Sequence, residues 1–168
     1  MAKITLKGDT IHTNGELPVI GAKAPDFHLV DKDLEDKGLK DFGIRRKLLW
    51  IVPSLDTSVC SLTTKKLNHF ASSELSYLFL VISADLPFAQ KRFCAAEGAA
   101  NIVTLSMMRN KDFARDYGVL IQDGPLAGLC ARSLFVLDEH NKVLYTQLVP
   151  EITQEPDYDR AIKALSSY

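Results

Sequence analysis

Residues 48–70 constrain this chain more tightly than any other stretch. Leu48-Leu49-Trp50-Ile51-Val52 is apolar at every position, as a strand covered on both faces must be. Leu62, Lys66, Leu67 and Phe70 follow at helical spacing. Between them, Pro53-Ser54-Leu55-Asp56-Thr57-Ser58-Val59-Cys60 carries the chain from a buried strand into a helix. Cys60 therefore falls in the first turn of that helix. The unpaired N–H groups and positive dipole end of a helix stabilise an anion there. For cysteine that anion is the thiolate, the reactive form of the thiol. The position reads as that of a nucleophile. The plainer alternative is a packing residue, because free cysteine is among the most buried residue types.

The rest of the chain extends the strand-to-helix alternation. After the helix at about 59–73, Tyr77–Ser83 is a second strand, apolar almost throughout. Pro87 opens a helix that runs through about Glu97 and is ended by Gly98. Ile102–Leu105 is a short strand, and Lys111–Tyr117 a helix stopped by Gly118. Ser133–Leu137 and Lys142–Leu148 flank Asp138-Glu139-His140-Asn141 and read as a hairpin. Pro156-Asp157-Tyr158 opens a last helix, with Tyr158, Ala161, Ile162 and Leu165 on one face. Ahead of this series, Ile4 and Leu6 lead through Gly8-Asp9 to Thr10, Ile11 and Thr13, a β-hairpin pattern. Phe27–Val30 is a further strand, and residues 31–44 a loop with at most a short helix. The expected fold is α/β: a thioredoxin-like three-layer sandwich with a central mixed sheet and an added N-terminal β-hairpin. No repeat or linker divides the chain, so residues 1–168 are expected to form a single domain.

Charge and cysteine usage exclude several classes of function. The formal net charge is −1, which offers nothing to nucleic acid or to an anionic membrane. The longest apolar runs are far shorter than a bilayer span. The first ten residues hold no apolar segment of signal-peptide length, so a cytoplasmic location is expected. There are three cysteines, Cys60, Cys94 and Cys130, and no C-x-x-C. Neither a secreted disulfide framework, a zinc ribbon nor a dithiol oxidoreductase of the usual spacing is supported. His12, His28, His69 and His140 lack ligand spacing and read as surface residues. Asp26, Asp56, Asp85 and Asp123 form no acid/base pair. Asp56 is expected to point away from Cys60 and serve the turn, since a carboxylate aimed at the sulfur opposes ionisation. No metal or cofactor is expected.

Pro53, Thr57 and Cys60 together spell P-x-x-x-T-x-x-C, and the chain resembles the peroxiredoxins, more narrowly the bacterial thiol peroxidases, which are atypical two-cysteine peroxiredoxins. The likeness extends through Ile82 to Gln90, Arg92-Phe93-Cys94, Ala96-Glu97-Gly98, Asp123 to Leu129, Ala131-Arg132 and Glu155-Pro156-Asp157-Tyr158. It implies that Cys60 is the peroxidatic cysteine, attacking a hydroperoxide and becoming a sulfenic acid. It implies that Thr57 hydrogen-bonds thiolate and peroxide, that Arg132 stabilises the developing charge, and that Pro53 shields the pocket. It assigns Cys94, 34 positions after Cys60, as the resolving cysteine of an intrachain disulfide. It also implies thioredoxin as reductant and a homodimer.

Disulfide formation needs the two Cα atoms within about 7 Å, and both thiols start on separate helices. Reduced and oxidised conformations linked by local unfolding are therefore expected. Cys130, Ser58 and Met107-Met108 depart from the family's usual residues. Cys130 reads as a small buried bystander. The apolar neighbours Leu55, Val59 and Leu62 suggest that bulky alkyl hydroperoxides are accepted. Two other readings remain at this point: a thiol–disulfide oxidoreductase acting on proteins, and a redox sensor that signals through the same two cysteines.

Overall fold

The computed structural model describes residues 1–167; Tyr168, the last residue of the expected domain, lies outside them. In chain order the strands are β1 (Lys3–Leu6), β2 (Asp9–His12), β3 (Leu29–Val30), β4 (Asp36–Lys37), β5 (Lys47–Ile51), β6 (Leu78–Ser83), β7 (Val103–Ser106), β8 (Ser133–Leu137) and β9 (Val143–Leu148). The helices are α1 (Ser58–Ser73), α2 (Pro87–Glu97), α3 (Asp112–Asp116) and α4 (Tyr158–Ser166). Seven strands form one sheet in the order β4-β3-β7-β6-β5-β8-β9. β5, β6 and β7 are mutually parallel, whereas β8, β9, β3 and β4 join antiparallel.

The alternation of side chains along β5 divides the core in two. Leu48, Trp50 and Val52 face a layer holding Cys60, Leu67 and Ala71 of α1, Ala161 and Leu165 of α4, and the partly buried Phe93 and Cys94 of α2. Leu49 and Ile51 face the other layer, built from Phe113 and Ala114 of α3 and from Ile4, Ile11 and Phe27. Three helices thus cover one face of the sheet, and α3 with the N-terminal segment covers the other. This is the expected three-layer sandwich. β1 and β2 pair as the expected hairpin, a separate two-stranded sheet.

Several details differ from the sequence reading, and the expected strand Phe27–Val30 is reduced to Leu29–Val30. The 31–44 segment contributes a short strand, β4, which pairs with β3 before a 3-10 turn at Leu39–Phe42. β5 begins one residue earlier, at Lys47. This side chain is fully buried and donates to the Gly43 and Arg45 carbonyls and to Asn141 Oδ1; burial pulls its amine below the usual lysine range. Leu62, read as part of the apolar face of α1, is 48% exposed, and Thr63 and Thr64 are buried in its place.

Candidate active site

β5 ends at the carboxyl edge of the sheet, and the chain there turns into α1. Thr57 caps the helix. Its extended backbone (φ −82, ψ 147) leaves Oγ1 free to accept the Cys60 N–H at 3.3 Å, one of the bonds a helix start otherwise lacks. The same hydroxyl donates to the Ser54 carbonyl at 3.2 Å. Pro53 is buried, whereas Asp56 and Thr57 are exposed. Asp56 is thus on the outside of the turn, and its N–H donates to Ser54 Oγ.

Cys60 is 0% exposed. Arg132 enters from the residue before β8 and donates from Nη1 to Cys60 Sγ at 2.7 Å. Arg132 is itself 2% exposed. Its Nε donates to the Ile152 carbonyl at 2.7 Å, and its guanidinium lies 5.8 Å from the centre of the Trp50 ring. A guanidinium stays charged at any accessible pH. Held against the sulfur away from water, it sets a fixed positive charge and a hydrogen-bond donor on the atom placed to react. Helix start, cap and guanidinium converge on one atom, and they come from β5, α1 and β8.

Two carboxylates complete this arrangement; the sequence reading weighs Asp85 only as an acid/base group and does not single out Glu151. Asp85, just beyond β6, accepts from Ser54 Oγ at 2.7 Å, from the Leu55 N–H at 2.7 Å and from Ser83 Oγ at 2.8 Å. It clamps the loop between Pro53 and Cys60 to the neighbouring strand end. Gln90 of α2 secures the same corner, donating to Ser83 Oγ and to the Leu105 carbonyl. Glu151 lies beside Ile152, the carbonyl partner of Arg132. Its carboxylate accepts from the N–H groups of Gly8 and Thr153 and from the hydroxyls of Thr5 and Thr153. Led by those backbone donors, its pKa falls to about 2. The Ile152 N–H donates to the Thr5 carbonyl. The N-terminal hairpin is thereby fastened to the segment that holds Arg132. A sequence cue existed only for Asp85: it follows a core strand at the sheet edge where ligands usually bind.

Cys94 stands apart from this cluster. It is half-buried, in the last turns of α2, and its carbonyl accepts the closing N–H bonds of Gly98 and Ala99. Burial pushes its thiol up, with Lys32 and a hydrogen bond from Thr104 opposing. All three cysteines are free thiols. α1 and α2 lie on the same face of the sheet; Lys65 pairs with Glu97 of α2 at 2.7 Å, and Asn68 Oδ1 accepts from the N–H of Asn101, beyond α2, at 2.9 Å. Cys60 points at Arg132 instead of at α2. Cys130 belongs to the opposite layer of the core. It is fully buried, donates to Met107 Sδ at 3.5 Å, and burial pushes its thiol up to about 12.

Comparison with known proteins agrees with this geometry. The redoxin family model matches residues 20–162. A thiol peroxidase of Leptospira interrogans is 49% identical, with 99% of each chain covered. Among solved structures, a peroxiredoxin-like protein from Aquifex aeolicus superposes with TM-score 0.91 at 40% identity, covering 98% of this chain and 96% of that one. A thiol peroxidase from Chromobacterium violaceum superposes with TM-score 0.90 at 28% identity, covering 97% and 94%. The chain belongs to the redoxin family and, within it, to the thiol peroxidase branch of the peroxiredoxins.

Proposed function

We propose that this peroxidase reduces hydrogen peroxide and alkyl hydroperoxides to water and alcohols by a two-cysteine cycle. The Cys60 thiolate attacks one peroxide oxygen. The O–O bond breaks, an S–O bond forms, and the departing alkoxide or hydroxide takes up a proton. Arg132 holds the thiolate and balances charge that develops on the oxygens. Thr57, on the exposed side of the sulfur, orients the incoming peroxide, and Pro53 limits water. Cys94 then attacks the Cys60 sulfenic acid. An S–S bond replaces the S–O bond, and the thiol proton leaves with the hydroxyl as water. A dithiol protein, thioredoxin, supplies two electrons to reopen the disulfide.

The observation that carries this reading is the buried guanidinium 2.7 Å from the helix-start sulfur. The whole chain acts as one redoxin domain and works in the cytoplasm. Leu86 and Phe88, 53% and 65% exposed at the start of α2, offer an apolar surface for the homodimer and for alkyl substrates. Leu62 is 48% exposed and is not part of the apolar layer around Cys60.

The test is peroxide consumption coupled to thioredoxin and its reductase, paired with the masses of Cys60→Ser and Cys94→Ser after one equivalent of peroxide. The cycle calls for turnover by the native protein, no adduct on Cys60→Ser and one added oxygen on Cys94→Ser. A disulfide that forms without catalytic turnover points to a redox sensor instead.

A further inference from the structure

The two parts of α1 are held differently. From Ser58 to Leu62, among the described residues, the only side-chain tie to the rest of the protein is that of Cys60 to Arg132. From Thr63 onward the ties are frequent. Thr63 Oγ1 and Tyr158 Oη are 2.7 Å apart. Lys65 pairs with Glu97, Lys66 with Glu155, and Asn68 with the Asn101 N–H. The lysine pairs are solvent-exposed, and exposed pairs contribute little. The Thr63 bond is different. Thr63 is fully buried, and a buried hydroxyl that loses its partner is costly. Tyr158 donates onward to Glu155 Oε1 at 2.8 Å, so the Thr63 hydroxyl is the donor in the bond between them.

This bond lies where α1 must begin to yield. Helix N–H groups bond to the carbonyl four residues earlier. Freeing Val59 and Cys60 from the helix therefore strips Thr63 and Thr64 of their backbone bonds, and the Tyr158 bond is what still holds Thr63 in place. We propose that the Thr63–Tyr158 hydrogen bond sets the cost of unwinding the first turn of α1, and thereby the rate at which the Cys60 sulfenic acid reaches Cys94. Thr63 and Tyr158 are positioning residues, acting through the helix on the resolving step. The proposal rests on the two-cysteine cycle above. A sulfenic acid held back from Cys94 stays available to a second peroxide, which oxidises it to sulfinic acid and leaves as water or alcohol. The bond thus also governs sensitivity to excess peroxide.

The test separates the two chemical steps in single-turnover experiments on the full-length protein. Tyr158→Phe keeps the ring and removes the hydroxyl. Loss of the Cys60 thiol to peroxide should be unchanged within about twofold. Conversion of the dimedone-reactive sulfenic acid to disulfide, followed by mass, should be about three- to tenfold faster. The sulfinic fraction formed under excess peroxide should fall. Thr63→Val should produce the same change, and the double variant no more than either single, because one bond is removed in each case.

An unchanged or slower disulfide step overturns the proposal. So does an additive double variant, which indicates general loosening, or a slower peroxide step, which places Tyr158 at the reacting sulfur. If the native protein forms no Cys60–Cys94 disulfide, the cycle itself is wrong and the proposal falls with it. If the disulfide forms but its rate is insensitive to both substitutions, only the proposal falls.

Discussion

The first turn of α1 and the last turns of α2 each carry a cysteine on the same face of the sheet, and their surroundings oppose each other. Cys60 is fully buried, capped through Thr57 and bonded to a guanidinium. Cys94 is half-buried, and burial raises its thiol above the ordinary range. Both are removed from water to some degree, so burial alone does not distinguish them. The difference is a bonded positive charge: Arg132 donates directly to the Cys60 sulfur, whereas Lys32 only opposes the burial of Cys94 in part. A thiol that must attack peroxide has to be anionic beforehand, and fixed dipoles with a guanidinium can stabilise that anion without reorganising. A thiol that acts second is better kept neutral until the sulfenic acid arrives, since an idle thiolate is itself a target for oxidation. On the two-cysteine cycle proposed above, the chain builds one preorganised site and one waiting site, and the first turn of α1 would have to travel between them.

The comparison breaks most sharply at the sulfur atoms. Cys60→Ser should abolish peroxide consumption. Cys94→Ser should consume about one equivalent of peroxide, stop at a dimedone-reactive sulfenic acid, and turn over poorly with thioredoxin. If Cys60→Ser turns over while Cys94→Ser does not react at all, the two roles are reversed.

The next effect concerns the guanidinium. Arg132→Ala should slow reaction with peroxide by about 10²- to 10³-fold, the usual loss on removing a preorganised charge-stabilising donor. Alkylation of Cys60 by iodoacetamide at neutral pH should slow as well, because it too needs the thiolate. Cys94 alkylation should not change. Equal slowing at both cysteines indicates that Arg132 only supports the fold, through the Ile152 carbonyl and Trp50.

The architecture was legible in sequence wherever one residue's environment follows from its near neighbours. The all-apolar β5 and β6, the Pro87 start and Gly98 stop of α2, and the Gly8 hairpin all obey local rules of burial and capping. Cys60 was legible for the same reason, because a strand-turn-helix is a local pattern. Asp85 and Glu151 were not. Asp85 acts on Ser54 and Leu55 across a strand crossover, and Glu151 on Gly8 across almost the whole chain. A carboxylate that accepts backbone N–H groups from a distant loop looks, in sequence, like any surface acid. Helical spacing placed Leu67 and Phe70 of α1 in the layer but misplaced Leu62. It put Leu62 inward, but at that end of the helix the layer closes on Tyr158 and two threonines take the buried positions. Pairing with Tyr158 accounts for Thr63, and periodicity carries no trace of it; among the described residues the buried Thr64 hydroxyl has no such partner.

Cys130 sharpens the comparison by showing burial without a bonded cation, the Lys111 charge opposing that burial only in part. Its thiol is pushed up to about 12, so it should stay unlabelled by iodoacetamide at pH 8 in the folded protein and label only on unfolding. A free thiol ionises near 8.5 to 9, at about the value expected for the unfolded chain. Its contribution to stability is therefore intact below about pH 9 and is lost as the pH rises toward 12. Denaturation at pH 8 and pH 10 should show a stability loss that is smaller in Cys130→Ser. An identical loss in both proteins assigns the alkaline sensitivity to other groups, such as Tyr117, whose phenol is also raised by burial.

The smallest expected effect is the net one on stability when the two cysteines join. Closing a loop of about 35 residues restricts the unfolded chain by roughly 3.8 kcal/mol in the entropy model. Against this, Cys60 must leave the first turn of α1, giving up the Thr57 cap at about 1 kcal/mol and the backbone bonds of that turn. Its departure also leaves the Arg132 guanidinium without its sulfur partner, and separating a buried charged pair costs about 3–5 kcal/mol. Water entering the opened turn returns part of that sum. The opposing contributions are of equal size, so oxidation should change the unfolding free energy by less than about 1–2 kcal/mol in either direction. Urea denaturation of the reduced and oxidised forms, in a Cys130→Ser background to prevent disulfide exchange, measures it, with the single Trp50 beside Arg132 as the reporter. An oxidised form stabilised by the full loop-closure amount means that no turn unwinds and that Cys60 and Cys94 already lie within bonding reach. The contrast between a fixed site and a waiting one then collapses into a single preformed dithiol. A form destabilised well beyond that range means that more of α1 than its first turn is lost, which places the boundary of unwinding past Thr63.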